Sequence, residues 1–288
     1  MEFRRLHNNE LNQWFKLCHT AFNVAETYFR RHFYSDPKRN TDGIFVAVDN
    51  KELVGTVRVF EREIYYHGQP VKMGGVGEVC TLASHYRQGI AKTLLTMAID
   101  YMTSNDFKVS VLGSGADKLY EALGYKSRER LYKLLELKAK DNDYCFESIE
   151  HDDYSRLAKL YHKVSVKLDG PMVRSLEYFQ TWFKEESSNY ESFKIMKDQA
   201  LLGYLVYSIK DDINLHELIL EDINMSDEVL EHLLFHLSSD KPIHIPAIYP
   251  SKHKVIENIN YKHWMYLNLT HKDYTDLNNH VIWKIDHY

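Results

Sequence analysis

Residues 84–95 read SHYRQGIAKTLL and follow the apolar, β-rich run GGVGEVCTL at 74–82. A strand that ends in a short polar turn and opens a helix at Gly89 leaves several backbone amides unpaired at the helix N-terminus. Those amides and the helix dipole suit an anion such as a phosphate or pyrophosphate. Gly89 has no side chain to block approach, and Ala91 leaves room one step further on. A tight strand-to-helix turn with no ligand explains the same glycine equally well, so the turn alone does not decide.

Other spacings carry less. His232 and His236 in EHLLFH share a face of a predicted helix, but Leu233 stands where a zinc-peptidase motif needs glutamate. An interface or half-buried pair is expected there, with no metal. Cys18, Cys80 and Cys145 are odd in number and widely spaced, which fits reduced thiols better than a disulfide framework or a zinc site. Tyr178, Phe179, Trp182 and Phe183 are spaced as core side chains on a helix.

Of the 288 residues, 44% are hydrophobic and 27% charged, enough to bury real cores. The 36 basic and 41 acidic residues leave a net charge of -5, which argues against a general nucleic-acid binder. Apolar runs fall far short of the ~20 residues a membrane span needs. The start, MEFRRLHNNE, lacks the apolar core of a secretory signal. A cytoplasmic protein without a membrane partner is expected.

The elements that must position the glycine turn are legible in outline. Ten of the twelve glycines precede residue 125, which places the expected site in the first half. The polar stretch LKAKDNDYC at 137–145 divides the chain into residues 1–140 and 141–288. In the first half, NNELNQWFKLCHTAF (8–22) has a helical apolar stripe with Asn8 or Asn9 as N-cap. GIFVAVD and ELVGTVRVFEREIYY form a hairpin around DNKE, and HGQP turns into the strand VKMGGVGEVCTL. IAKTLLTMAIDYM is a helix, KVSVLGS a strand, ADKLYEAL a short helix and RLYKLLEL a last strand. The segment 23–42 reads as a loop. The second half repeats the rhythm, with CFESI as a strand, DDYSRLAKLYHKVSV as a helix and MVRSLEYFQTWFKEE as another helix. Three strands over 192–220 and the helix SDEVLEHLLFHL follow. At the counterpart of the glycine turn, NMSDEVLEH replaces SHYRQGIAK, which makes a second anion site doubtful.

The run VGEVCTLASHYRQGIAKTLLTMAIDYM resembles motif A of the GNAT acetyltransferase superfamily, whose pattern is Q/R-x-x-G-x-G/A. Gly89 and Ala91 occupy the small positions, and Tyr86 stands at the first position in place of Gln or Arg. YEALGYKSRERLYKL resembles motif B, F-Y-x-x-x-G-F/Y, with Tyr120, Gly124 and Tyr125 in place. The duplicated layout resembles the enhanced intracellular survival subgroup, in which an active GNAT domain precedes a degenerate one. The resemblance implies an α/β (α+β) fold of two tandem domains, each a mixed, mostly antiparallel sheet flanked by helices. It assigns residues 1–140 as catalytic and 141–288 as degenerate.

The resemblance also implies acetyl-CoA as donor and a primary amine of a small molecule or peptide as acceptor. Val79, Cys80, Thr81 and Leu82 take the role of pairing with the pantetheine arm. Arg87, Gln88, Gly89, Ile90, Ala91 and Lys92 take that of holding the pyrophosphate. Tyr120 stands where many relatives carry the tyrosine that protonates the departing thiolate; amphipathic packing is its other reading. Glu78, two residues before Cys80 and so on its face, is a candidate base, and a surface carboxylate fits equally. In some relatives the terminal carboxylate is the base, which here would be that of Tyr288. A non-catalytic acyl-CoA-binding sensor or scaffold is the alternative to an enzyme.

Overall fold

The computed structural model describes residues 1–277 and 280–286, apart from the side chains of residues 262 and 263. From the N-terminus, β1 (Glu2–Arg5) leads through a 3-10 turn into α1 (Leu11–Phe22) and α2 (Glu26–Ser35). β2 (Ile44–Asp49), β3 (Glu52–Tyr66) and β4 (Gln69–Thr81) then form an antiparallel meander. Its hairpins are tight because Asn50–Lys51 and His67–Gly68 each place two successive residues at positive φ, which matches the strand twist. α3 (Ile90–Ser104), β5 (Val109–Gly113), α4 (Asp117–Glu121) and β6 (Lys126–Glu136) follow.

The second half runs through β7 (Cys145–Ser148), α5 (Tyr154–Ser165), α6 (Leu176–Tyr178) and α7 (Lys184–Ser187). A π-helical turn, Phe179–Phe183, joins α6 to α7. β8 (Glu191–Lys197), β9 (Ala200–Ile209) and β10 (Ile213–Leu220) make a second meander, followed by α8 (Ser226–Leu237), β11 (Ile243–Pro246) and β12 (Lys254–Asn268).

Among the described residues the strands form one sheet in the order β1-β2-β3-β4-β5-β12-β6-β11-β10-β9-β8-β7. It is mostly antiparallel; β4–β5 and β10–β11 are the parallel pairs. This is the mixed α/β, helix-flanked architecture expected from the sequence. The halves repeat one another as far as these parallel pairs and then exchange their last strands. β12 lies against β5, β6 lies against β11, and β6 and β12 pair with each other at the centre.

Alternate residues of β2 serve opposite cores, as a pleated strand buried on both faces requires. Ile44, Val46 and Val48 pack with Trp14, Phe15 and Phe29 of α1 and α2. Phe45 and Ala47 pack with Leu94, Leu95 and Met102 of α3. Gly55 permits the close seating of α3, since a Cβ there would meet Ile90 Cγ2 at 2.7 Å. In the second half Arg174 donates to both carboxylate oxygens of Glu217 at 2.6 Å and to Asp286 at 2.9 Å, tying the C-terminal segment into the core.

Three local expectations are corrected. Segment 23–42 is not simply a loop, because α2 occupies its centre and buries Phe29, His32 and Phe33. Neither Asn8 nor Asn9 caps α1. They lie in a 3-10 turn whose capping box pairs His7 with Glu10, and Glu10 also takes two bonds from Arg4 at 2.7 and 2.8 Å. The helix expected over 172–186 starts later, at Leu176, after Ser175 accepts a bond from the Tyr178 amide, and it is widened by the π-helical turn.

The exchanged strands generate a prediction. A chain ended after residue 140 lacks β12, leaving the β5 and β6 edges unpaired and the buried Met265 missing from the α3 core. It is expected to lose cooperative thermal unfolding by circular dichroism and to aggregate. A sharp transition at the full-length temperature would contradict this.

Candidate active site

β4 pairs with β5 only where Met73–Gly75 meet Val109–Val111, yet it continues against β3 as far as Thr81. Beyond Gly75 the two parallel strands part, and among the described residues no strand pairs with the β5-facing edge of β4. A cavity of about 560 Å³ opens at this splay. Val79, Cys80 and Thr81 form one wall, and Arg87, Gly89, Ile90, Ala91 and Lys92 line the end at α3. Tyr120 and Leu119 of α4 close a third side, with Ala21 and Phe22 from the end of α1. Two of the expected residues, Leu82 and Gln88, fall outside this lining; the Leu82 amide donates to the Val54 carbonyl at 2.8 Å.

The turn before α3 is built to present backbone. Arg87 at φ 64° and Gly89 at φ 77° are both left-handed, and Gly89 is the N-cap residue. A Cβ on Gly89 would meet no protein atom within 4 Å, so the space before it is open to a ligand. Amides exposed at such a helix start fit a pyrophosphate, and Arg87 and Lys92 add positive charge to the same lining.

Beside this cavity β4 is bulged. Thr56 faces Cys80 and Arg58 faces Gly77, so Glu78 and Val79 together oppose Val57, and Glu78 takes φ 49°. The extra residue switches the face the strand presents: Val76 packs in the α3 core, whereas Cys80 packs against the α1 and α2 core. The Glu78 side chain is 7% exposed and lies 3.5 Å from Arg58 Nη1. Its Oε1 has no hydrogen-bond partner among the described residues. Burial pushes the carboxyl up, the Arg58 guanidinium pulls it down and the Asp36 charge raises it, leaving it at about 7. Glu78 is therefore a buried carboxyl, not a surface one.

Arg58 is itself fixed. Its Nη2 donates to Asp36 Oδ2 at 2.9 Å, and Arg62 Nη1 donates to Asp36 Oδ1 at 2.9 Å. Glu78 also lines a second cavity, of about 450 Å³, with Phe22, Val24, Tyr28, Phe29 and Phe60. Phe22 borders both cavities and Glu78 is next to Val79, so the two spaces adjoin at these residues. The far wall is braced by the second half: His32 Nε2 lies 2.9 Å from Glu186, and Arg31 Nε lies 3.1 Å from Glu185.

Tyr120 is 7% exposed, and burial raises its phenol above the ordinary value, so at neutral pH it retains its proton. Tyr288, the alternative source of a base, lies outside the described residues. His232 is buried on α8 beside Asp141 and accepts a bond from the Asn142 amide at 3.2 Å. Sequence reasoning missed Arg58, Asp36 and the aromatic lining of the second cavity. Phe22, expected as part of an apolar helical stripe, is instead 40% exposed where α1 ends in the cleft.

The second half has a cavity of about 320 Å³ in the corresponding place. There Leu220 ends β10 and Glu221 and Asp222 follow it, Val164 lies in the last turn of α5 with Lys167 and Leu168 just beyond, and Tyr249 is also in the lining. Its turn has Met225 as the N-cap residue in place of a glycine and carries Glu221 and Asp222, and Asp227 and Glu228 occupy the first turn of α8.

Residues 2–128 match the family model described as "Acetyltransferase (GNAT) domain". The fold is shared with a GCN5-related N-acetyltransferase from Anabaena variabilis, 13% identical, with a TM-score of 0.72 over 93% of this chain and 73% of that one. Eis1 from Mycobacterium abscessus is 15% identical with a TM-score of 0.65, over 93% of this chain and 74% of that one. N-myristoyltransferase from Saccharomyces cerevisiae, with bound myristoyl-CoA, is 9% identical with a TM-score of 0.56, over 93% and 82% of the two chains. The chain has an acyltransferase fold. Its residues 2–128 are similar to a GNAT acetyltransferase domain, and no helix among the described residues is long and apolar enough to cross a membrane.

The buried Glu78 has a measurable cost. Its carboxyl holds a proton up to about pH 7 when folded, against an ordinary 4.5, so the folded state binds more protons between these values. Its contribution to stability therefore falls as pH rises from about 4.5 to about 7. Glu78→Gln is expected to gain stability over wild type at pH 8 relative to pH 5, on the order of 3 kcal/mol. Denaturant unfolding at the two pH values checks this; an equal difference at both would contradict it.

Proposed function

We propose that the protein is an acetyl-CoA-dependent N-acetyltransferase that acetylates a primary amine of a small molecule or peptide. In this reading residues 1–140 supply the chemistry, and 141–288 form a degenerate GNAT-like half that braces the site. The observation that carries the proposal is the adjacency of two cavities: one with an open, amide-rich helix start, the other holding a carboxyl near neutrality.

The backbone edge of Val79, Cys80, Thr81 and Leu82 would pair with the pantetheine arm. The turn of Arg87, Gln88, Gly89, Ile90, Ala91 and Lys92 would hold the pyrophosphate. Acetyl-CoA supplies the acyl thioester. Glu78 accepts a proton from the acceptor ammonium, leaving a neutral amine that attacks the thioester carbonyl carbon. As the C–S bond breaks, Tyr120 donates its phenolic proton to the departing sulfur, and the second proton, shed by the former amine nitrogen as it becomes a neutral amide, passes through solvent to restore the phenol. A base near pH 7 suits this task, since it is ionised enough to accept a proton while remaining basic enough to take one.

Gly89→Val tests the donor site. A β-branched side chain at φ 77° is strained and projects into the space before the turn. Acetyl-CoA affinity is expected to fall at least tenfold in calorimetry, while wild type binds close to one equivalent per chain because the α8 turn is acidic. Unchanged affinity with the fold intact, or two similar sites, would overturn the placement.

Tyr120→Phe and Glu78→Gln test the chemistry. Tyr120→Phe keeps the ring, and kcat is expected to fall by about a hundredfold or more with little change in acetyl-CoA affinity. In wild type, kcat/KM should rise with pH through an inflection near 7 as Glu78 ionises, and Glu78→Gln should abolish that inflection. Near-normal kcat in the Phe variant, or a retained inflection in the Gln variant, would remove the respective residue from the mechanism.

A further inference from the structure

We propose that the acceptor is a monoamine carried on an aromatic or comparably apolar skeleton, and that the Glu78 cavity selects it against polyamines and hydroxylated amines. The inference rests on the reading of Glu78 as the base. Its own grounds are the walls and charges of the cavity. Phe22, Val24, Tyr28, Phe29 and Phe60 make most of the lining hydrocarbon; the other lining residues are Glu78, its one carboxylate, and His32, which lies 2.9 Å from Glu186. Apolar walls of this kind reward burial of apolar area and offer a hydroxylated chain few partners beyond the Tyr28 phenol. Aromatic faces also tolerate an ammonium beside them.

The charges behind the cavity limit the acceptor to one positive group. Arg58 and Arg62 stand against Asp36 and Glu78, two positive groups and two negative ones, all joined by contacts of 2.9–3.5 Å. One ammonium finds the unpartnered Oε1 of Glu78. A second finds no further carboxylate in the lining, and Glu186 on the far wall is already held by His32 at 2.9 Å. Shape agrees with charge: α2 presents Tyr28 and Phe29 on the turn next to His32, whose ring packs at a tilt against Tyr28 with centroids 4.1 Å apart and so braces that wall.

The test is a comparison of acceptors on the full chain with acetyl-CoA, followed by release of the CoA thiol. 2-Phenylethylamine, ethanolamine and spermidine offer an aromatic monoamine, a hydroxylated monoamine and a polyamine. The expected kcat/KM for phenylethylamine exceeds that for ethanolamine by roughly ten- to a hundredfold, and spermidine fares no better than ethanolamine. Val24→Asp adds a carboxylate at a position 39% exposed, where it need not disturb the core. It should lower kcat/KM for phenylethylamine and raise that for spermidine. Equal or better use of spermidine or ethanolamine by the wild type, or phenylethylamine turnover no faster than thioester hydrolysis, overturns the inference. Glu78→Gln, assayed with whichever amine is used best, separates the two readings. If it slows that amine while phenylethylamine is not preferred, the base stands and only the acceptor class falls.

Discussion

Arg58 is 1% exposed, and its guanidinium lies 3.9 Å from the centre of the Phe60 ring. A charge buried this far is tolerated only with partners, and they are Asp36 just past the end of α2 and Glu78 at the bulge of β4. One cation thus joins the helix that walls the second cavity to the strand that carries the carboxyl. It also moderates that carboxyl. Burial alone would drive Glu78 further up, and the guanidinium brings it back to about 7. Asp36 shares its other oxygen with Arg62, whose guanidinium reaches the Trp182 ring of the second half at 5.3 Å. The same network that tunes the site therefore couples it to the other half of the chain.

That coupling suggests what the second half contributes. It keeps the splayed layout and a cavity at the same place, but Glu221, Asp222, Asp227 and Glu228 stand around its turn. Carboxylates at a helix start stabilise the helix by the same dipole that would otherwise attract a phosphate. The acidic turn thus favours the fold of α8 and disfavours an anion. Meanwhile the π-helical turn and α7 place Trp182, Glu185 and Glu186 against α2, where they hold the wall of the first half's cleft.

The parts of this arrangement legible in the sequence are those governed by local rules. The strand, glycine turn and helix over 71–102 follow from alternation, a positive-φ residue and helical spacing, all within a short stretch. Tyr120 is found because it stands at a fixed offset from Gly124 and Tyr125. The bulge at Glu78 is invisible locally, since it exists only in how β4 is opposed by Thr56, Val57 and Arg58. Without it, simple alternation puts Glu78 on the face of Val76. α2 escapes notice because ETYFRRHFYS buries two phenylalanines and a histidine beneath a charged exterior, so its apolar stripe is thin. The strand exchange has no sequence signature at all, because Trp264 finds Gly113 and Arg128 only through tertiary packing.

The position of β12 also sets a timetable for synthesis. β5 and β6 leave the ribosome well before Lys254–Asn268 exists to fill the gap between them. At ordinary elongation rates that interval is on the order of ten seconds, far longer than the microseconds a hairpin needs to form. During it, β5 and β6 lack the strand that pairs with both of them in the folded protein. Chaperone contact and the risk of pairing with a neighbouring nascent chain should both concentrate in that window. The gap between β5 and β6 is then filled only once Lys254–Asn268 has been made.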